Sequence, residues 1–331
     1  MAYTAQITPD DQNRRLDRIL RKAFPSLPLS AIHKMIRKGQ VHIDGKPVSA
    51  SFKPQAGSVL EIQVLDIAQK ENTAPRQQKE RGLSLSILFE NEALLCINKK
   101  RGIPVHGKKS VDEAVQAYLI PKLPLSLSFK PGPLHRIDQG TSGILFFSKN
   151  IRGAQAFSEG LREHRFAKWY LAVLQGHITE AAQWDDVILR NREQGLSHID
   201  KDAMEGKRAT TTMYPILHNR DSHTAATLVC IKLGTGRTHQ IRVQAAHHGS
   251  PLLGDIKYGA KKQPFPWLLH AYEMDGLDTL NLSIPADLRA PLWPDQLALL
   301  QRLFPAKEQH LFFQRLEQTP PLLSLLDAII T

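Results

Sequence analysis

Cysteine is nearly absent from these 331 residues: only Cys96 and Cys230 occur, each inside an apolar run, LLCIN and TLVCIK. Two isolated thiols build neither a disulfide framework nor a zinc site. They read as small buried strand residues of a protein kept in a reducing compartment, the cytoplasm. Long apolar runs are missing too, which excludes a helix of about 20 residues crossing a bilayer. The opening MAYTAQITPDDQNRR has no apolar stretch of the kind an export signal needs, so a soluble protein with no membrane partner is expected. Neither nucleotide-binding fingerprint occurs with its spacing, because the GTG at 234–236 stands without the rest of either motif. No internal repeat or low-complexity tract is found, no pattern asks for a metal or a cofactor, and neither is expected. Acidic charge is in deficit as well: 32 Asp and Glu face 43 Lys and Arg, a formal charge of +11 that favours a polyanionic partner.

What is present is unevenly placed. Ten Lys and Arg lie between Arg14 and Lys53 against two Asp (17 and 44), so most of the positive excess is local, as a footprint on phosphates requires. Within that stretch Leu16, Ile19, Leu20 and Phe24 keep helical spacing, which turns the intervening Arg and Lys outward. A second helix, SAIHKMIRKG, has Ser30 as its candidate N-cap, Ile32, Met35 and Ile36 as its apolar face, and Gly39 as its end. Its Lys34, Arg37 and Lys38 are the candidate phosphate contacts. A short strand (QVHI), a turn at Asp44-Gly45, another extended piece (KPVSAS) and a closing strand (GSVLEIQVL) complete a unit of roughly 50 residues.

Residues 66–82, DIAQKENTAPRQQKERG, are polar and aperiodic and read as a linker. Beyond Ile87 apolar, β-rich runs (ALLCINK, ILFFSK, KWYLAVL, ATLVCIKL, HQIRVQA) alternate with helical pieces such as VDEAVQAYLI and IRGAQAFSEGLREH. Strands outnumber helices, which predicts an α+β domain on a mixed or antiparallel sheet. The segment from about 285, with PADLRAPLWPDQLALLQRLF and PPLLSLLDAII, reads as terminal helices.

Four phrases carry polar groups suited to chemistry. In Leu134-His135-Arg136-Ile137-Asp138-Gln139-Gly140-Thr141-Ser142-Gly143, glycines 132, 140 and 143 permit positive φ. Asp138 is thus placed as a turn aspartate bonding its own backbone, or as a catalytic acid or nucleophile. In Gly234 to Val243, read as extended, Arg237, His239 and Ile241 share one face and Thr238, Gln240 and Arg242 the other. Lys168-Trp169-Tyr170 opens a strand with exposed aromatic and basic groups, and Ile97 to Gly107 is a strand running into a basic Gly/Pro turn.

Together, INKKRGIPVHG, LHRIDQGTSGILFFSK, KWYLAVLQG and GRTHQIRVQAAHHGSPLLGDIKYG resemble the pseudouridine synthases of the RluA type, and residues 14–64 resemble the S4 RNA-binding domain. The resemblance spans roughly 14–275. Within that type the S4-like front and the His106-Gly107 pair look like the large-subunit ribosomal RNA enzymes RluC and RluD. It implies an S4-like domain over 14–65, the linker at 66–82, and a synthase domain over 83–331. It also implies isomerisation of uridines in RNA, 23S ribosomal RNA before transfer RNA, by a monomeric enzyme that everts its target base. The nucleophilic aspartate then falls on Asp138, the family's tyrosine on Tyr170, and the aspartate's basic partner on Arg242. Arg136 falls where an arginine faces the RNA beside the displaced base, and His135, Thr141, Arg237, His239 and Gln240 are the surrounding candidate substrate contacts. The sequence departs from the family pattern at Gln139-Gly140, at Gln244 and at Ser250-Pro251. Two other readings stand beside this one. A non-catalytic RNA-binding or ribosome-assembly protein needs only the basic front, and a nuclease would use His135 or His239 as acid and base.

Overall fold

Apolar residues three and four apart in the basic front form the inner faces of two helices in the computed structural model of the chain: α1 (Leu16–Ala23) and α2 (Leu29–Arg37). Pro28, rather than Ser30, stands at the N-cap of α2, and Gly39, at φ +66°, follows its end. Leu16, Leu20, Ile32 and Ile36 pack on a four-stranded antiparallel sheet made of β1 (Tyr3–Gln6), β2 (Val41–Ile43), β3 (Lys46–Pro47) and β4 (Val59–Ile62), in the order β1-β4-β2-β3. The turn between β2 and β3 has positive φ at both Asp44 and Gly45, the twist a two-residue hairpin needs. The sheet reaches back to Tyr3, ahead of residue 14. Arg18, Arg21, Lys22, Lys34, Arg37 and Lys38 are all exposed, so the helices present one strongly basic surface.

The described residues are 2–63, 83–191, 193, 195–200, 206–219, 225–305 and 314. The linker expected at 66–82, and all but one of the residues beyond 305, lie outside them. Among the described residues no helix is long and apolar enough to cross a membrane.

A second sheet contains eleven strands: β5 (Ile87–Glu90), β6 (Leu94–Lys99), β7 (Gly132–Pro133), β8 (Ser142–Ser148), β9 (Ala167–Gln175), β10 (Ala182–Asn191), β11 (Leu196–Ile199), β12 (Lys207–His218), β13 (Ala226–Leu233), β14 (Leu269–Asp275) and β15 (Asp287–Arg289). Its order is β11-β10-β12-β13-β9-β14-β8-β6-β5, with β15 on β14 and β7 on β8. Every pairing is antiparallel except β14 with β8, so the sheet is mixed and the fold is α+β, as the alternation of runs predicts. Strand β9 lies at its centre, and its period of two shows why both faces are covered. Tyr170, Ala172 and Leu174 pack with Val115 of α3 (Val111–Leu119), Phe157 of α4 (Ile151–Arg162) and Ile241 of α5 (Gln240–His247). Trp169, Leu171 and Val173 pack on the other face with Leu299 and Leu300 of α6 (Pro294–Leu303). The Lys168-Trp169-Tyr170 opening of β9 is therefore interior: Trp169 is wholly buried and Tyr170 nearly so. Cys96 and Cys230 are buried and free in β6 and β13.

The run HQIRVQA, expected as a strand, is helix α5. Gln240 to Ala245 are all buried, so the helix has no polar face and shows no 3.6-residue pattern, while Ile241 and Val243 imitate strand alternation. His239 precedes it in the left-handed conformation, φ +57°.

The small unit is tied to the large one by polar contacts from its first loop. Asp11, completely buried, accepts hydrogen bonds from Ser128 N and Oγ at 2.8 and 2.6 Å and from Ser126 Oγ at 2.8 Å. Asp10 accepts from Ile151 N at the start of α4, at 2.8 Å.

Two glycines fix the loop that leads into β8. Gly143 has φ +105°, and a Cβ there would lie 2.2 Å from the Ala271 carbonyl oxygen on the parallel strand β14. Gly140 needs space rather than positive φ, because a Cβ would meet the Trp267 ring at 2.3 Å, and Gly132 shows neither constraint. Gly143→Ala is expected to lower stability by roughly 2–5 kcal/mol, from backbone strain plus overpacking. Denaturant unfolding measures it, and a loss under about 1 kcal/mol contradicts the close approach.

Candidate active site

Asp138 lies on the loop between β7 and β8, where its carbonyl accepts from Thr141 N at 3.0 Å to close a turn. Its side chain faces a cavity of about 260 Å³ lined also by Arg136, Tyr170, Arg237, His239 and Arg242. Strand β9 supplies Tyr170, the loop before α5 supplies Arg237 and His239, and the first turn of α5 supplies Arg242. Segments distant in sequence thus meet at one hollow on the edge of the core.

Arg242 is held more firmly by another acid than by Asp138. Its Nε and Nη2 donate to Asp255 Oδ2 and Oδ1 at 2.7 and 2.9 Å, a bidentate pair with both side chains buried. The rings of Tyr258 and Trp267 lie 4.8 and 4.9 Å from its guanidinium carbon. That leaves Nη1, 3.9 Å from Asp138 Oδ2. The expected pairing of Arg242 with Asp138 is therefore a charge contact, with the geometry set by Asp255. Arg101 also lies over the Trp267 ring, at 5.0 Å.

Burial is the largest influence on the Asp138 carboxyl and raises it above the ordinary carboxylate range, against Arg242 first and then Arg136, Arg190 and Lys99, which favour the charged form. Lys99 itself is fully buried and donates to the carbonyls of Lys100, Ile103 and Gln139 at 3.1, 2.9 and 3.2 Å. It thereby ties the basic turn after β6 to the loop carrying Asp138. Burial brings Lys99 down to about 8, partly opposed by Asp138. Lys168, at the cavity wall, is likewise lowered to about 8, by burial first and by Arg237 second. Burial, with Asp138 adding to it, drives the Tyr170 hydroxyl far above its usual range, so it is a neutral phenol.

The other expected contacts divide sharply. Arg136 and Arg237 are exposed at the rim, where Arg237 Nε donates to the Arg208 carbonyl at 3.1 Å. Thr141 is buried and lines the cavity. Gln240 is spent on structure: its amide donates to Thr210 O and Thr211 Oγ1 at 3.0 and 2.9 Å, and its oxygen accepts from Thr235 Oγ1 and Arg237 N. It lines the cavity together with Arg242, as expected, but as the first residue of a helix and not as an extended residue. His135 also serves the fold, since Nε2 accepts from Phe146 N at 3.1 Å and its ring stacks on Phe157 at 5.8 Å. Burial takes it down to about 3, with Lys168 acting in the same direction, which unsuits it as an acid–base group near neutral pH. Lys34, Arg37 and Lys38 are not at the cavity; they lie on the small unit's basic surface.

Several groups that shape the site were missed. Asp255 and Tyr258 sit in LLGDIKYG, where an acid and an aromatic carry no spacing signal until α5 is seen to turn Arg242 toward them. Trp267 and Lys99 look like ordinary strand-flanking residues, and Arg190 lies in a strand with no motif.

Family models match two stretches of the chain: RNA pseudouridylate synthase over residues 93–247 and S4 domain over residues 14–60. The chain is 32% identical over 265 residues to ribosomal large subunit pseudouridine synthase C of Escherichia coli (strain K12), covering 77% of this chain and 79% of that protein. It is 34% identical over 252 residues to the protein of the same name from Buchnera aphidicola subsp. Acyrthosiphon pisum, covering 75% and 77%. Among solved structures, the fold matches human RNA pseudouridylate synthase domain containing 4, with a TM-score of 0.54 at 21% identity over 66% of this chain and 92% of that one. It also matches human RNA pseudouridylate synthase domain containing 1, with a TM-score of 0.51 at 24% identity over 67% and 96%.

Proposed function

Because the chain belongs to the RNA pseudouridylate synthase family, with an S4 domain in front, we propose that it isomerises uridines of large-subunit ribosomal RNA at the cavity containing Asp138. Isomerisation of uridine in RNA is the activity of the family. The choice of ribosomal RNA rests on the names of the relatives and on the exposed basic helices. The single observation that supports this cavity is the meeting of a half-buried carboxylate, a buried guanidinium beside it and a buried tyrosine in one small hollow.

The reaction breaks the N-glycosidic bond, turns the base and forms a carbon–carbon bond, with no net change in composition. In this reading the target base is first unstacked, at a cost of a few kcal/mol, and Arg136 at the rim fills the space it leaves. Asp138 reacts as the charged nucleophile, and Arg242 supplies the field that keeps the carboxylate ionised in a site that would otherwise protonate it. Tyr170, neutral and rigid on β9, gives the base a flat surface and is the candidate acceptor of the proton lost from C5. A cytoplasmic location follows from a ribosomal substrate.

The test of the substrate is direct: incubate the protein with large-subunit ribosomal RNA and, in parallel, with transfer RNA, and map carbodiimide-stable adducts at single-nucleotide resolution. Adducts at defined uridines are the expected result. Adducts confined to transfer RNA replace the substrate, and none in either RNA removes the activity.

The basic surface gives a second measurement. With Lys34, Arg37 and Lys38 all changed to Gln, RNA affinity is expected to fall and the salt slope to flatten by roughly 2–3, since each phosphate contact contributes about 0.7–0.9. Turnover of saturated enzyme should stay within about threefold. An unchanged slope assigns the phosphate contacts to another surface.

A further inference from the structure

His239 opens α5 in the left-handed conformation, rare for a residue with a side chain, and this turns its ring into the cavity. Its two nitrogens have different neighbours. Nδ1 lies 2.7 Å from the Tyr258 hydroxyl, and that hydroxyl already accepts from Ser197 N at 3.1 Å. With that acceptor position filled, the tyrosine hydrogen is placed to go to Nδ1, which is then bare, with the ring hydrogen on Nε2. Nε2 faces Asp138 Oδ2 at 3.9 Å, where a lone pair would be repelled by the carboxylate and an N–H is attracted. Both ends of the ring thus select the same tautomer. Burial, with Arg242, Arg190, Lys257 and Arg136 adding to it, brings this histidine down to about 3, so the ring is neutral.

A separation of 3.9 Å is too long for a hydrogen bond. It is the span across which one atom, about 2.8 Å from each side, receives the Nε2 hydrogen and gives its own to the carboxylate. The bridging group must be donor and acceptor at once. Uracil carbonyls and phosphate oxygens only accept, and the uracil N3–H only donates. In an RNA strand the 3′ and 5′ oxygens are esterified, which leaves one hydroxyl per nucleotide, the 2′-hydroxyl. That hydroxyl is on the carbon next to the glycosidic carbon, where the proposed chemistry places Asp138. Arg242 Nη1, also 3.9 Å from Oδ2, has hydrogens to give and none to receive, so it leaves the requirement unchanged.

We propose that His239 and Asp138 together grip the 2′-hydroxyl of the target nucleotide, with Tyr258 as the positioning residue that fixes the histidine tautomer. The site would then require a ribonucleotide at the target as well as uracil. This rests on the reading of Asp138 as the reacting group.

The test is a cycle between protein and substrate. kcat/KM is measured on RNA oligomers carrying uridine or 2′-deoxyuridine at the target, with wild type, His239→Ala and Tyr258→Phe. Any intrinsic effect of the missing hydroxyl on reactivity is common to all three proteins and cancels. The expected result is that the loss on deoxyuridine is roughly 10- to 100-fold smaller for His239→Ala than for wild type, the scale of a charge-assisted hydrogen bond. Tyr258→Phe, which keeps the ring beside Arg242, should fall between them, and it carries the test if His239→Ala does not fold. Losses equal within about threefold in all proteins overturn the proposal. Asp138→Asn run alongside separates the two levels: if that variant turns over normally, the reading of Asp138 has failed, whereas an inactive Asp138→Asn with an additive cycle removes only the 2′-hydroxyl grip.

Discussion

Asp138→Asn is expected to reduce pseudouridine formation by at least about 10⁴-fold, the scale on which enzymes lose turnover when a nucleophile is removed. Asparagine keeps the size and the hydrogen-bonding shape of the side chain, so the cavity stays intact, and RNA affinity should stay within about tenfold. The same variant carries a second signature. Burial raises the folded-state Asp138 carboxyl above its unfolded value of 3.8. A raised carboxyl contributes stability that is fully present below the unfolded pKa and lost as pH rises through the folded one. Near neutral pH the wild-type protein holds this charge against its preference, and an uncharged asparagine does not. Melting temperature should therefore be equal or higher in Asp138→Asn near neutral pH, with the advantage fading as pH falls through the raised folded-state pKa and absent below the ordinary carboxylate range. Near-normal turnover would remove Asp138 from the chemistry, and a large loss of stability at neutral pH would show that its charge serves the fold.

The parts of this molecule that were legible in the sequence are those whose signal is local. Leu16, Leu20, Ile32 and Ile36 repeat at helical spacing, Asp44-Gly45 marks a hairpin, and the all-buried β8 shows as the run ILFFS. Asp138, Tyr170 and Arg242 were marked by the phrases around them, and they do line one cavity. What failed was the segment joining them. Helix α5 is buried on every side, so its residues carry no amphipathic period and HQIRVQA reads as a strand. With the helix unseen, the hydrogen bonds that occupy Gln240 have no visible source, His239 has no reason to be left-handed, and Asp255 is 13 residues from its partner with no periodic relation to it. A bidentate pair between the first turn of a helix and a loop is set by tertiary packing, and pattern reasoning has no access to it. Gly140 shows the same limit: its lack of a side chain accommodates Trp267, not a backbone turn.

Arg242→Gln should damage the enzyme through both of its acids. Asp255, 2% exposed at its side chain, loses its bidentate partner, and Asp138 loses the nearest charge that opposes its burial. Leaving buried carboxylates uncompensated costs about 3–5 kcal/mol, so a fall in melting temperature is expected together with at least a roughly 100-fold fall in kcat/KM near neutral pH. The pH profile then separates the two effects. With the guanidinium gone the Asp138 carboxyl rises further, and the acid limb of kcat/KM, which tracks its ionisation, should move to higher pH. Adding Asp255→Asn to Arg242→Gln removes one stranded charge and should restore much of the stability. It restores no field at Asp138, so the displaced acid limb should remain. Arg242→Lys should fall between, because a lysine keeps the charge but cannot hold Asp255 through two hydrogen bonds and still present a donor to Asp138. If stability and the acid limb recover together in the double variant, Asp255 sets the charge state at Asp138 and Arg242 acts only as a structural tie between them.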